Sequence, residues 1–108
     1  MGHLASKLEK YGIFVIASFE SPFKEGRNFI RRLCQNYIEV YVSTPLEHCE
    51  ARDKKGLYAA ARKGEIRNMP GVDIPYEKPE SPDVEVNLTK MTTPQAADRV
   101  MQHIKKYI

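Results

Sequence analysis

The chain has 108 residues, 42% hydrophobic and 29% charged, enough apolar material for one modest domain and too much for a disordered tail. Its formal net charge of +3 gives no global argument for nucleic-acid binding, so any anion has to be met by local charge. No apolar run approaches the ~20 residues that cross a bilayer, and the opening stretch, with Lys7 and Lys10, lacks a signal-peptide pattern, so the expected compartment is the cytoplasm.

In chain order the pattern alternates as in an α/β protein. Leu4, Leu8 and Tyr11 recur at helical spacing, and Gly12 stops that helix. Ile13-Phe14-Val15-Ile16-Ala17 is a continuous apolar run, expected as a buried parallel strand. Past Pro22, the residues Phe29, Ile30 and Leu33 give a second helix its inner face, with Arg27, Arg31 and Arg32 at or near the outer one. Tyr37 to Val42 reads as another strand. Thr44-Pro45 with Glu47 reads as a helix start, hydroxyl as N-cap and Pro in the first turn. Val84 to Leu88 is expected as a short last strand. Thr92 or Thr93 with Pro94 opens a final helix whose inner face is Ala97, Val100, Met101 and Ile104. Strands joined by a crossover helix form a right-handed unit with ligands at the strands' carboxyl ends, which places Ser18 to Phe23, Ser43-Thr44 and the segment described next along one rim.

That segment, Arg52 to Glu77, reads RDKKGLYAAARKGEIRNMPGVDIPYE and packs six Lys or Arg into its first sixteen residues against only Asp53 and Glu65. Lys55 to Arg62 is a good helix former, whereas Asn68 to Pro75 is full of chain-reversing Pro and Gly. A basic helical hairpin followed by an irregular loop suits a mobile lid over a charged small molecule; a solvated basic helix with a surface turn is the plainer alternative. Cys34 and Cys49 form no C-x-x-C motif and are expected as buried thiols, and His3, His48 and His103 have no ligand spacing, so no metal is assigned to the side chains.

The words KGLY and PGVD-PYE-P-SP, with Ser18 to Phe23, Arg27, Ile38 to Val42 and Pro45 to Asp53 in the same order, resemble the adenylylsulfate kinases over essentially the whole chain. The resemblance implies a P-loop-kinase-like three-layer α/β/α sandwich with a parallel sheet, present in part: residues 1–108 as its C-terminal half, with a lid at about 52–77. It also implies transfer of the γ-phosphoryl group of ATP, carried with Mg²⁺, to the 3′-hydroxyl of adenosine 5′-phosphosulfate (APS). The implied partners are ATP and APS, a second copy in a homodimer, and an associated or fused ATP sulfurylase, with no nucleic acid or membrane. No G-x-x-x-x-G-K-[ST] phosphate loop occurs in these residues, so the half that would carry it is expected elsewhere and these residues alone are expected to be inactive. Loss of that half would expose Ile13 to Ala17 and lower solubility.

By the same resemblance Ser21 is the candidate catalytic residue. Glu20, Ser21, Lys55, Asn68 and Met69 line the APS pocket, and Arg52 contacts ATP. A serine lacks nucleophilicity without a neighbouring base, which favours Ser21 as a substrate-site residue over a covalent carrier. Lys55 suits a sulfate or phosphate because an ammonium on a flexible stem can follow the anion as a lid closes. Arg52 can stack its guanidinium on adenine or satisfy the end of its helix, and Arg62 and Arg67 are weaker candidates. Met69 stands where the family usually has Phe, Pro70 where Thr is commoner, and Glu20 where an apolar residue is usual, changes expected to weaken substrate binding and leave the fold intact. Two other functions fit the residues: a catalytically silent nucleotide-binding or regulatory module of a sulfurylase fusion, and a P-loop kinase for another small molecule.

Overall fold

In the computed structural model, which describes residues Met1–Ile108, the chain divides into two units, Met1–Tyr37 with Tyr76–Lys78 and Ile38–Pro75 with Pro79–Ile108. The first unit holds α1 (Gly2–Lys10) and α2 (Lys24–Leu33). Helix α1 ends where Gly12 takes a φ of +76°, a conformation that costs a residue without Cβ little. Its closest packing is through small residues, with Leu8 half-buried. Gly2 and Ser6 are buried, a Cβ on Gly2 would come within 2.9 Å of Ile30 Cγ1, and the Ser6 hydroxyl donates to Leu33 O at 2.9 Å. Leu4 and Tyr11, expected on the inner face, are 55% and 80% exposed, because the Gly2–Ser6 stripe lets the two backbones approach most closely. The Glu9 carboxylate accepts the amides of Gln35 and Asn36 at 2.8 and 2.7 Å, which ties down the chain beyond α2.

Further expectations for this unit are corrected, among them Phe29, placed on the inner face of α2 by its spacing but 45% exposed. Ile13 to Ala17 is no buried strand: Ile13, Phe14 and Ile16 are 49%, 53% and 86% exposed, and Ile13 alone uses its amide, donating to Leu8 O. Extended backbone becomes a strand only against a neighbour, and none is present here. Arg27, expected on the outer face of α2, is buried at 7% exposure because it has carbonyl acceptors inside, described below.

The second unit holds a parallel pair, β1 (Val40–Val42) and β2 (Val84–Val86), in the register Val40↔Val84 and Val42↔Val86. Both are shorter than the sequence suggests, and β1 pairs with β2 rather than with the 13–17 run. The pair is closed at both ends: Asp83 Oδ2 accepts from Glu39 N at 2.7 Å, and Ser43 N donates to Val86 O at 2.9 Å. The two-residue side-chain period turns Val84 and Val86 inward and Glu85 outward. The valines pack with Ala96 of α5 (Thr93–Ile104), joined by Leu88, Met91 and Val100.

The buried face of α5 is Ala96, Val100 and Ile104; Ala97 and Met101, expected inside, are exposed, a shift of one residue around the helix. Its start is as expected. Thr92 Oγ1 accepts from Gln95 N and Gln95 Oε1 accepts from Thr92 N, a reciprocal capping box with Pro94 in the first turn. Thr44 does not cap α3 (Leu46–Ala51), whose N-cap position falls on Pro45; its hydroxyl instead accepts the Leu88 amide at 3.0 Å, just past β2. Helix α4 (Leu57–Arg62) follows, and no helix is long and apolar enough to cross a membrane.

Thr92→Ala is expected to lower stability by about 1 kcal/mol in urea unfolding, the usual worth of an N-cap side chain. The two amides hold the Glu9 carboxyl below its ordinary value of 4.5. Its contribution is therefore complete above 4.5 and fades as pH falls through the lowered value. The Gln35 and Asn36 amide resonances are expected to shift together with a midpoint below 4.5, and a midpoint at or above it would contradict this.

Candidate functional site

The sequence-predicted residues fall in both units. Glu20 and Ser21 belong to the first; Arg52, Lys55, Asn68 and Met69 belong to the second.

In the first unit, Ser21 has a φ of +41°, which costs a side-chain-bearing residue about 1–2 kcal/mol and persists only where neighbours hold it. The holder is Arg27. Its guanidinium donates to the carbonyl oxygens of Ser21 and Glu77 and lies 5.6 Å from the Tyr76 ring centroid. Glu77 N donates to Pro22 O at 2.8 Å, and Glu77 Oε1 accepts from Lys24 N at 2.8 Å, capping α2 from a distant part of the chain. The Ser-Pro and Tyr-Glu words, more than fifty positions apart in sequence, are thus one stapled structure. Ser21 Oγ makes no hydrogen bond, so no base is poised to activate it, and Glu20 is exposed.

In the second unit the basic segment is organised by carboxylates. Asp53 accepts from Tyr58 N at 3.2 Å and Ala59 N at 3.0 Å, so it caps α4 across Gly56, which turns the chain with a φ of +67°. Arg62 pairs with Glu50 at 2.7 Å, and that contact pushes its pKa up. The other five cations of the segment, Arg52, Lys54, Lys55, Lys63 and Arg67, are exposed and their side chains engage no residue of the chain. Asp53 is spent on backbone amides and Glu50 on Arg62, so of the neighbouring carboxylates Glu65 alone stands exposed against the five cations, and the local field is positive.

The stretch expected as an irregular loop is a closed turn. Asp73 accepts the amides of Asn68 and Met69, the Met69 carbonyl accepts from Val72 and Asp73 at 3.0 and 3.1 Å, and Gly71 N donates to Ile74 O at 2.8 Å. Asn68 has a φ of +60°, which Asn tolerates better than most residues, and Gly71 at +84° sits so close to Leu46 that a Cβ would come 3.2 Å from its Cδ1. Asn68 is exposed at the turn's start, while Met69 is buried at 7% exposure.

Sequence reasoning missed the residues that hold these features: Arg27, taken as an outer-face charge, and Asp53, Asp73 and Glu77. The only local signal was an Asx-type acceptor near Asn68 to Gly71, since the Arg27 and Glu77 contacts cross some fifty positions. Both cysteines are half-buried and unpaired, and burial pushes the Cys34 thiol up. A shallow cavity of about 590 Å³ between α1 and α2, lined by Lys7, Lys10 and Arg32 among others, contains none of the predicted residues.

Arg27→Met is expected to cost about 1.5–3 kcal/mol, the worth of hydrogen bonds from a charged group. Amide exchange should accelerate at Lys24 and Glu77 more than at the α5 amides. Arg27→Lys recovers only part of the loss, because an ammonium lacks the planar fork that reaches two carbonyls.

The chain matches the family model described as "Adenylylsulphate kinase" over residues 1–87. It is 45% identical over 97 residues to the adenylyl-sulfate kinase of Clostridium acetobutylicum, covering 89% of this chain and 48% of that protein. It is also 50% identical over 90 residues to the sulfate adenylyltransferase of Gibberella zeae, covering 81% of this chain and 16% of that protein. The structure superposes on the Mycobacterium tuberculosis APS kinase CysC, solved in complex with AMPPNP and APS, with a TM-score of 0.86 and 36% identity, covering 96% of this chain and 62% of that one. The chain thus spans about half the length of the curated kinase it matches, and its fold class is the P-loop-kinase-like α/β class. Matched over most of its length in sequence and nearly all of it in structure, the chain belongs to the adenylylsulphate kinase family.

Proposed function

We propose that this chain supplies the lid and acceptor-side part of an adenylylsulfate kinase, which transfers the γ-phosphoryl group of ATP to the 3′-hydroxyl of APS and yields 3′-phosphoadenylylsulfate and ADP. The observation that carries the reading is the row of five exposed, unengaged cations on a carboxylate-anchored segment, in a chain similar to a kinase solved with AMPPNP and APS. A sulfated, phosphorylated nucleotide and ATP together bring several negative charges, and cations free of internal partners are available to neutralise them.

Lys55 meets the sulfate or phosphate of APS through its flexible ammonium, and Arg52 lays its guanidinium plane against the ATP base. Asn68 and Met69 contribute backbone and side chain to the APS pocket from a turn fixed by Asp73. Ser21 presents a held backbone and an uncommitted hydroxyl to substrate, and without a base beside it acts by positioning and not as a covalent carrier. Mg²⁺ enters with ATP as part of the substrate. The barrier falls through alignment and charge neutralisation, and closure of the basic segment excludes water. The enzyme acts in the cytoplasm, as a homodimer. The likeness to a sulfate adenylyltransferase supports a second reading, a catalytically silent regulatory module joined to a sulfurylase.

The test joins these 108 residues to the part of the Clostridium acetobutylicum kinase that the match leaves uncovered and follows ATP-dependent phosphorylation of APS. Turnover is expected, and Lys55→Ala should lower kcat/KM by about 10–100-fold, the kinetic equivalent of a lost charged hydrogen bond. A soluble hybrid that binds nucleotide without turnover would support the regulatory reading.

A further inference from the structure

The groove between α1 and α2 gathers cations that nothing in the chain uses. Its volume is about 590 Å³, and it is lined by His3, Lys7 and Lys10 from α1 and by Arg32 from α2. Spacings of four and three put the first three on one face of α1. No carboxylate lines the groove, and Glu9, the acid of α1, accepts the amides of Gln35 and Asn36. The side chains of Lys7, Lys10 and Arg32 are exposed and make no hydrogen bond or ion pair.

Basic residues in the last turn of a helix ordinarily serve its open carbonyls, and all three stand in such turns. Here other groups do that work: Ser6 Oγ donates to Leu33 O, and the amides of Tyr11 and Gly12 donate to Leu8 O and Glu9 O. The neighbouring arginines are engaged, Arg27 with the carbonyls of Ser21 and Glu77 and Arg31 over the Tyr37 ring at 4.7 Å. The free positive charge is therefore a cluster around one concavity and not a track along the surface, which suits a compact anion better than an extended polymer. The volume falls within the range of small-molecule sites, about 300–1,000 Å³.

We infer that the α1–α2 groove binds a small multivalent oxyanion, a molecule bearing at least two phosphate or sulfate groups, held by charge-assisted hydrogen bonds from Lys7, Lys10 and Arg32. Such binding is independent of the phosphoryl transfer proposed above, since none of the residues assigned to that reaction lines this groove.

The test titrates the 108-residue chain with pyrophosphate at low ionic strength and follows its amide resonances, the α5 amides reporting that the chain stays folded. Ser6, Lys7, Lys10 and Arg32 are expected to shift together and saturably. Lys7→Gln combined with Arg32→Gln should weaken binding by about tenfold, whereas Lys90→Gln, which removes an exposed cation of the second unit, leaves it unchanged. Shifts that grow without saturating, that weaken equally in Lys90→Gln, or that are confined to residues 52–67 would overturn the inference. An acidic peptide or a short oligonucleotide that moves the same amides at lower concentration than pyrophosphate would overturn it as well, by making a macromolecule the occupant.

Discussion

A buried guanidinium bound to two carbonyl oxygens shapes the first unit of this protein. Arg27 reaches Ser21 O and Glu77 O, and only a planar, permanently charged fork of donors can serve two such acceptors with one side chain. Burying that charge is tolerable because both carbonyls and the Tyr76 ring face it. From this contact follow the left-handed Ser21, the seating of residues 76–78 across the start of α2 and the remote cap that Glu77 gives Lys24. A sequence that reads as two unrelated proline-containing words is, physically, one turn held from beneath.

The second unit uses the same economy with the opposite sign. Asp53 and Asp73 spend their charge on backbone amides, one at the start of α4 and one across the 68–74 turn. Carboxylates consumed in this way order the basic segment without neutralising it. The exposed cations keep their charge uncompensated, and the backbone beneath them is held, so an anion bound there would meet a chain that is already ordered. The segment is therefore less irregular than its Pro and Gly content suggests, and its freedom lies in the lysine and arginine stems.

Local pattern fixed what depends on near neighbours. The helix at 93–104 and its Thr92 cap, the glycine stop at 12, the valine strands at 40 and 84, and the basic segment with its KGLY word were legible because spacing, capping chemistry and charge act within a few residues. Family membership was legible in the same words. What the sequence could not decide was which residue faces which neighbour. The burial of Arg27, the use of Thr44 as an acceptor for Leu88, the one-residue rotation of α5 onto Ala96 and the Gly2–Ser6 contact stripe are all set by partners tens of positions away. The 13–17 run shows the limit most plainly: its apolar pattern states what environment the segment suits, whereas a strand exists only when another backbone supplies its hydrogen bonds, and that only tertiary structure decides.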